Sequence, residues 1–113
     1  MRTNVNPVGM VIPKTHTPAA DTAAVITLAA AEGVRHVVDC IFCGYSATPT
    51  GGSLTIAVTV LGAAVSLFVP IAAAGPVILN FDRPLQGDDN TAITITLAAG
   101  SGAVVGSLNA MTR

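Results

Sequence analysis

The feature that most constrains this chain is a long neutral run: from Cys40 to Phe81 there is no Asp, Glu, Lys or Arg. Such a run has two ordinary explanations, a membrane-spanning helix of about 20 apolar residues or a set of buried strands. Periodicity separates them. In Ser53-Leu54-Thr55-Ile56-Ala57-Val58-Thr59-Val60 the large apolar residues occupy every second position, which is the repeat of a strand with two unlike faces. Gly62, Pro70, Gly75 and Pro76 punctuate the run. They would interrupt a spanning helix and they suit turns between strands. The run therefore reads as strands, with a membrane-inserted protein kept as a remote alternative.

The same rhythm continues along the chain, with short β-like runs separated by turn clusters. Strands are expected at about Ala24 to Leu28, Val34 to Tyr45, Ser53 to Val60, Ala64 to Val69, Pro76 to Phe81, Thr91 to Leu97 and Ala103 to Met111. About seven strands at roughly ten-residue spacing predict an all-β fold, an antiparallel, jelly-roll-like β-sandwich. This domain is expected to span residues 21–113. Residues 1–20 read as an extended N-terminal arm, because Pro7, Pro13 and Pro18, with Asn4, Asn6 and Gly9, oppose both helix and continuous sheet. They contain no continuous apolar stretch of the secretory kind, so Met1 is expected to be retained.

Two strands have assignable faces. Leu54, Ile56, Val58 and Val60 are expected in the core, as are Ile93, Ile95 and Leu97, with Thr94, Thr96 and Ala98 pointing outward. The strand from Val34 is mixed: Val34, His36, Val38, Cys40 and Phe42 share one face, and Arg35, Val37, Asp39, Ile41 and Cys43 the other. Apolar residues on both faces imply cover on both, the core on one side and a second subunit on the other. His36 and Asp39 would then lie near an interface.

Composition points the same way. Charged residues make up 10% of the chain and the formal net charge is −1, against about 25% charged in an ordinary soluble domain. So little charge gives small domains almost no mutual repulsion. With no Trp and only 4% aromatics, stability must come from many small contacts over a large area, which an obligate oligomer interface supplies. Arg2, Lys14, Arg35, Arg83 and Arg113 are scattered, whereas binding to phosphates needs clustered cations. Nucleic acid is not expected as a ligand.

Several residue groups carry possible chemistry and each has a plainer reading. Cys40 and Cys43 form a CxxC pair, but no second pair accompanies it and His16 and His36 lack zinc-finger spacing. Residues three apart on a strand also point to opposite faces, so two buried free thiols are expected. His36, Asp39 and either Ser46 or Ser53 have no turn that would present a nucleophile. A pairing of Arg35 with Asp39, or contacts across a subunit boundary, is the expectation instead. Gly100-Ser-Gly-Ala-Val-Val-Gly106 approaches a dinucleotide fingerprint with its last Gly one place late. The residues from Ala103 to Met111 read as a strand and not a helix, so a hairpin turn is expected at the glycines. Asp88 and Asp89 fall short of an oxygen shell for a divalent cation. No catalytic residue, metal or cofactor is expected.

Gly33-Val-Arg-His-Val-Val-Asp39, Tyr45-Ser-Ala-Thr-Pro-Thr-Gly-Gly-Ser-Leu-Thr-Ile56 and Ala98-Ala-Gly-Ser-Gly-Ala-Val-Val-Gly-Ser-Leu-Asn109 resemble segments of small virion proteins of tailed bacteriophages. The resemblance runs from about Asp21 onward. It implies a β-sandwich made in the host cytoplasm that assembles on the particle, often as trimers that decorate or cement the capsid surface. A tail, neck or fibre-base component is the alternative. Under this resemblance the partners are copies of the same chain and the major capsid protein. The residues expected at such contacts are Val5, Val8, Met10, Val11 and Ile12 in the arm and Arg35, Val37, Asp39 and Ile41 on the two-faced strand. Loops Thr48 to Gly52 and Gln86 to Asn90 are the candidates for an exposed face.

Overall fold

The computed structural model describes residues 12–113. Its elements are eight strands: β1 (Ile12–His16), β2 (Ala24–Leu28), β3 (Val37–Tyr45), β4 (Ser53–Val60), β5 (Ala63–Pro70), β6 (Gly75–Gln86), β7 (Ile93–Leu97) and β8 (Gly106–Thr112). They form two four-stranded antiparallel sheets, in the order β1-β8-β3-β6 and β2-β7-β4-β5. This is the strand order of an eight-stranded jelly roll, so the chain is an all-β sandwich.

Alternation accounts for the core. Ile26 and Leu28 from β2, Leu54, Ile56 and Val58 from β4, and Ile93, Ile95 and Leu97 from β7 are buried as every second residue of their strands. Val38, Ile41, Cys43, Tyr45, Leu108 and Ala110 face them from the other sheet. Mostly Ile, Val and Leu, these side chains have the branched shape that fills a pleated interior well.

Four expectations change. The first is β1, which lies within the stretch expected as an extended arm reaching a neighbouring subunit: Ile12 to His16 pair with β8 of the same chain from Ile12↔Thr112 to His16↔Leu108. A proline is tolerated there because β1 is an edge strand. The second is the mixed strand. Pairing of β3 with β8 shifts between Val38 and Cys40, so Asp39 is an extra residue. A bulge of this kind reverses the inward parity: Val38 faces in before it, and Ile41, Cys43 and Tyr45 after it. Strict alternation carried through the bulge makes both faces look apolar.

The third concerns Gly100 to Gly106, expected as a hairpin turn. It joins β7 in one sheet to β8 in the other, and the hairpin among the described elements is β4–β5. The fourth concerns the loops, since strand order places Thr48 to Gly52 and Gln86 to Asn90 at opposite ends of the sandwich. At one end the Thr50 amide donates to the Gly100 carbonyl, the Asp21 amide to Val104 and the Ile71 amide to Gly52. At the other, the Gly87 amide donates to the His36 carbonyl and the Asn90 amide to Val34.

That second end is organised by Asp88. Its carboxylate accepts the Leu61 amide at 2.9 Å and the Gly62 amide at 2.7 Å, which closes the loop against the β4–β5 turn. The Gly62 bond, then the Leu61 bond, hold the carboxyl below its ordinary value of 3.8. A group whose folded pKa is depressed contributes fully above its unfolded pKa, and the contribution fades as pH falls through the folded value. Asp88→Ala is therefore expected to lower the urea midpoint at neutral pH, and the gap to the parent should narrow below pH 3.8. A gap constant into acid would mean that the carboxylate bonds do not carry the effect.

Candidate functional site

The outer face of the β8-β3-β6 sheet is dished at the end near β3's last residues. The depression has a volume of about 540 Å³. Phe42, Pro76, Ile78 and Val105 form apolar walls around a floor of bare backbone at Gly44 and Gly75. Two sequence features build it. Gly44 lets the neighbouring strand come close, since a Cβ there would lie 2.8 Å from the Gly75 carbonyl oxygen. Phe42 and Ile78 are cross-strand partners on this outer face, and Ile78 is 63% exposed.

The polar groups at the rim are already engaged. Ser46 Oγ accepts the Val105 amide at 2.9 Å, and Ser107 shares a hydrogen bond with Thr17. Asn109 Oδ1 accepts the Thr15 hydroxyl at 2.8 Å while its Nδ2 donates to the Phe42 carbonyl. A dish with apolar walls and a satisfied rim suits an apolar side chain of a partner better than a polar ligand, which would find few free donors or acceptors.

The expected contact residues do not gather here. Val5, Val8, Met10 and Val11 lie outside the described residues. Ile12 opens β1. Ile41 is fully buried in the core, which removes it from any surface. Val37 closes the far end of the sheet, exchanging backbone bonds with Arg113. Asp39 is not paired with Arg35: its carboxylate accepts from Arg113 Nε at 2.9 Å and Nη2 at 2.7 Å in a two-pronged bridge. That bridge pins the bulge to the end of β8. Arg35 stays exposed.

The other candidates resolve into structural roles. Cys43 is buried and Cys40 half-buried, both free. Burial pushes the Cys43 thiol up, so it stays protonated at neutral pH and is a poor nucleophile. His36 Nε2 is 2.7 Å from the Ala29 carbonyl, and a carbonyl only accepts, so that nitrogen carries the proton. Tyr45 donates to the Ala98 carbonyl at 2.7 Å and accepts the Ser53 amide, tying the sheets together. Among the described residues no group of three or more His, Cys, Asp or Glu stands ready for a metal ion. No described helix is long and apolar enough to cross a membrane.

Sequence reasoning misses the dish and finds only half of its signal. Phe42 falls on the two-faced strand, but without the bulge the outward set cannot be separated from the inward one. Neutral apolar surface also lies away from the dish, on the other sheet: Phe68 is 65% exposed on β5 and Leu61 is 93% exposed at the β4–β5 turn.

No protein-family model matches the chain, and no curated protein matches it either. Among solved structures, the family 32 carbohydrate-binding module from C. perfringens NanJ, in complex with galactose, aligns with a TM-score of 0.47 and 13% identity over 88% of this chain and 93% of that one. A virus-like particle of Macrobrachium rosenbergii extra small virus aligns with a TM-score of 0.29 and 10% identity over 98% of this chain and 85% of that one.

Proposed function

We propose that this chain is a non-enzymatic structural subunit of a virion, of the capsid decoration or cement type, acting as a homo-oligomer on the particle surface. The observation that carries the reading is neutral apolar surface on the outer faces of both sheets, at Ile78 on β6 and at Phe68 on β5. The run without charge from Cys40 to Phe81 supplies most of β3, all of β4 and β5 and the first half of β6. It leaves Phe68, Ile78 and Leu61 open to water. Apolar area of this kind without interspersed charge favours association. In a shell, neighbouring subunits would cover it, and binding only to the assembled state would stabilise that state by mass action.

The reading has a direct test. Purified protein is added in detergent-free buffer to heads of the cognate phage made without it, and occupancy and head stability to heating are measured. Saturable, stoichiometric binding with a raised disruption temperature is expected. A protein that needs detergent to stay in solution, or that leaves the heads bare, would overturn it.

A further inference from the structure

A sandwich of two open sheets has four edge strands, and each exposed edge invites another strand unless it is blocked. Three are blocked in this molecule. Edge strand β1 carries Pro13 and Lys14. On β2 the Val25 amide donates to His16 Nδ1 at 2.9 Å, which occupies a position that an added strand would need. Edge strand β6 carries Pro76 and Pro84, and its pairing with β3 jumps from Leu85↔Val38 to Asn80↔Cys40, so Phe81 to Pro84 bulge out with Asp82 and Arg83. The fourth, β5, reads Ala-Ala-Val-Ser-Leu-Phe-Val-Pro, with no charge, no bulge and no proline before Pro70.

We infer that β5 pairs antiparallel with β5 of a second copy of this chain about a two-fold axis at Ser66. The β4–β5 register fixes which groups are free. Leu61 and Gly62 have φ of 51° and 78°, a two-residue turn with both residues left-handed, and the flanking Val60–Ala63 pair exchanges both bonds in such a hairpin. Bonded and unbonded pairs then alternate. Ala63, Val65, Leu67 and Val69 bond to β4, while Ala64, Ser66 and Phe68 turn their amides and carbonyls to the open edge. Two bonds to other elements agree with this parity: the Thr59 carbonyl, opposite Ala64, accepts the Asp88 amide at 2.8 Å, and the Ser53 carbonyl, opposite Pro70, accepts the Ala98 amide at 2.9 Å.

One self-register uses every free group. With Ser66 opposite Ser66 of the second copy, Ala64 faces Phe68 and Phe68 faces Ala64, so all three residues form bonded pairs. Sliding by one residue would oppose bonded to unbonded positions; sliding by two one way would leave Pro70, which lacks an amide hydrogen, against Ala64, and the other way would set Phe68 against Gly62, whose amide Asp88 already holds. The same register matches the side chains. Val65 meets Leu67 on the inner face, where both remain more than a third exposed in one copy. The Phe68 ring lies beside the small Ala64 on the outer face. A self-complementary edge of this kind argues for a second copy as occupant rather than an unrelated strand.

A single strand edge falls among the smaller interfaces, below about 1,200 Å², so the association should depend on concentration. The inference rests on the self-association in the proposed function and not on its virion setting: a chain that pairs in solution but ignores phage heads would leave this contact standing. Alongside a three-fold contact it would give six copies.

The test is sedimentation equilibrium of the full chain from micromolar to millimolar concentration. The parent is expected to reach an even number of copies. Ser66→Pro removes amide hydrogens only at the open edge, where proline is tolerated, and should raise the dissociation constant at least tenfold. Ser66→Lys and Ser66→Glu place like charges opposite each other, so each should halve the parent mass, while a mixture of the two should regain it. If Ser66→Pro does not fold, the exposed charge pair alone decides. A parent that stays at one chain, an odd-numbered multimer, or charge variants that keep the parent mass would overturn the pairing.

Discussion

Ile95→Ala is expected to lower the unfolding free energy by about 2–5 kcal/mol, toward the upper end of the range for a buried isoleucine. Ile95 is fully buried and lies in one row across its sheet, paired with Ile26 on β2 and with Ile56 on β4. Ladder bonds hold the backbone on both sides of β7, so the gap cannot close by collapse. Domains of this size are stable by about 5–15 kcal/mol, so a large share of the total is at stake. Urea unfolding checks it: the midpoint should fall with little change in slope. Thr94→Ala, the neighbour on the outer face, should change stability by no more than about 0.5 kcal/mol. A loss under about 1 kcal/mol for Ile95→Ala would mean the inter-sheet layer is looser than the burial implies.

Gly44→Ala is the second large expected effect, and it acts by crowding. The added methyl would lie 2.8 Å from the Gly75 carbonyl oxygen and 3.3 Å from its carbon, both backbone atoms that a rotamer change cannot move. β6 would have to shift away from β3, at a cost of about 1–3 kcal/mol. Hydrogen exchange distinguishes this from a general loss: amides of the β3–β6 ladder around Gly44 and Pro76 should lose protection first, with the β4–β7 ladder little changed. Uniform loosening of both sheets would contradict the assignment of Gly44 to this one close approach.

Sandwich architecture is legible wherever the chain obeys strict alternation. β2 and β4 have the bounds that the pattern predicts, and Leu54, Ile56, Ile93, Ile95 and Leu97 are buried as expected. The illegible parts come from places where one residue breaks the rule. Asp39 inverts the parity of β3, and nothing in its local sequence marks it as a bulge; the reason is a bridge to Arg113, far along the chain. Pro13 argues against a strand, yet an edge position accommodates it. Gly100 to Gly106 has the composition of a hairpin turn, and only the sheet assignments of β7 and β8 reveal a crossing. The dish needs the first and the last of these departures to be resolved, because β3, β6 and β8 build it together. The free edge needs the register of β5 against β4.

The order β1-β8-β3-β6 sets when this molecule can come into being. β8 lies between β1 and β3, so the earliest described strand has no neighbour in its sheet until the last one has arrived, and Ile12 waits for Thr112. Closing so long a stretch of chain before any ladder bond forms is slow, on the order of milliseconds to seconds for sandwiches. A chain stopped short of β8 would leave β1 unattached and β3 open on one side. It would also lack Asn109 and Ser107 at the rim of the dish. Completion of the last described strand thus finishes two things at once, the closed sheet and the dish on its outer face, and a truncated product has neither.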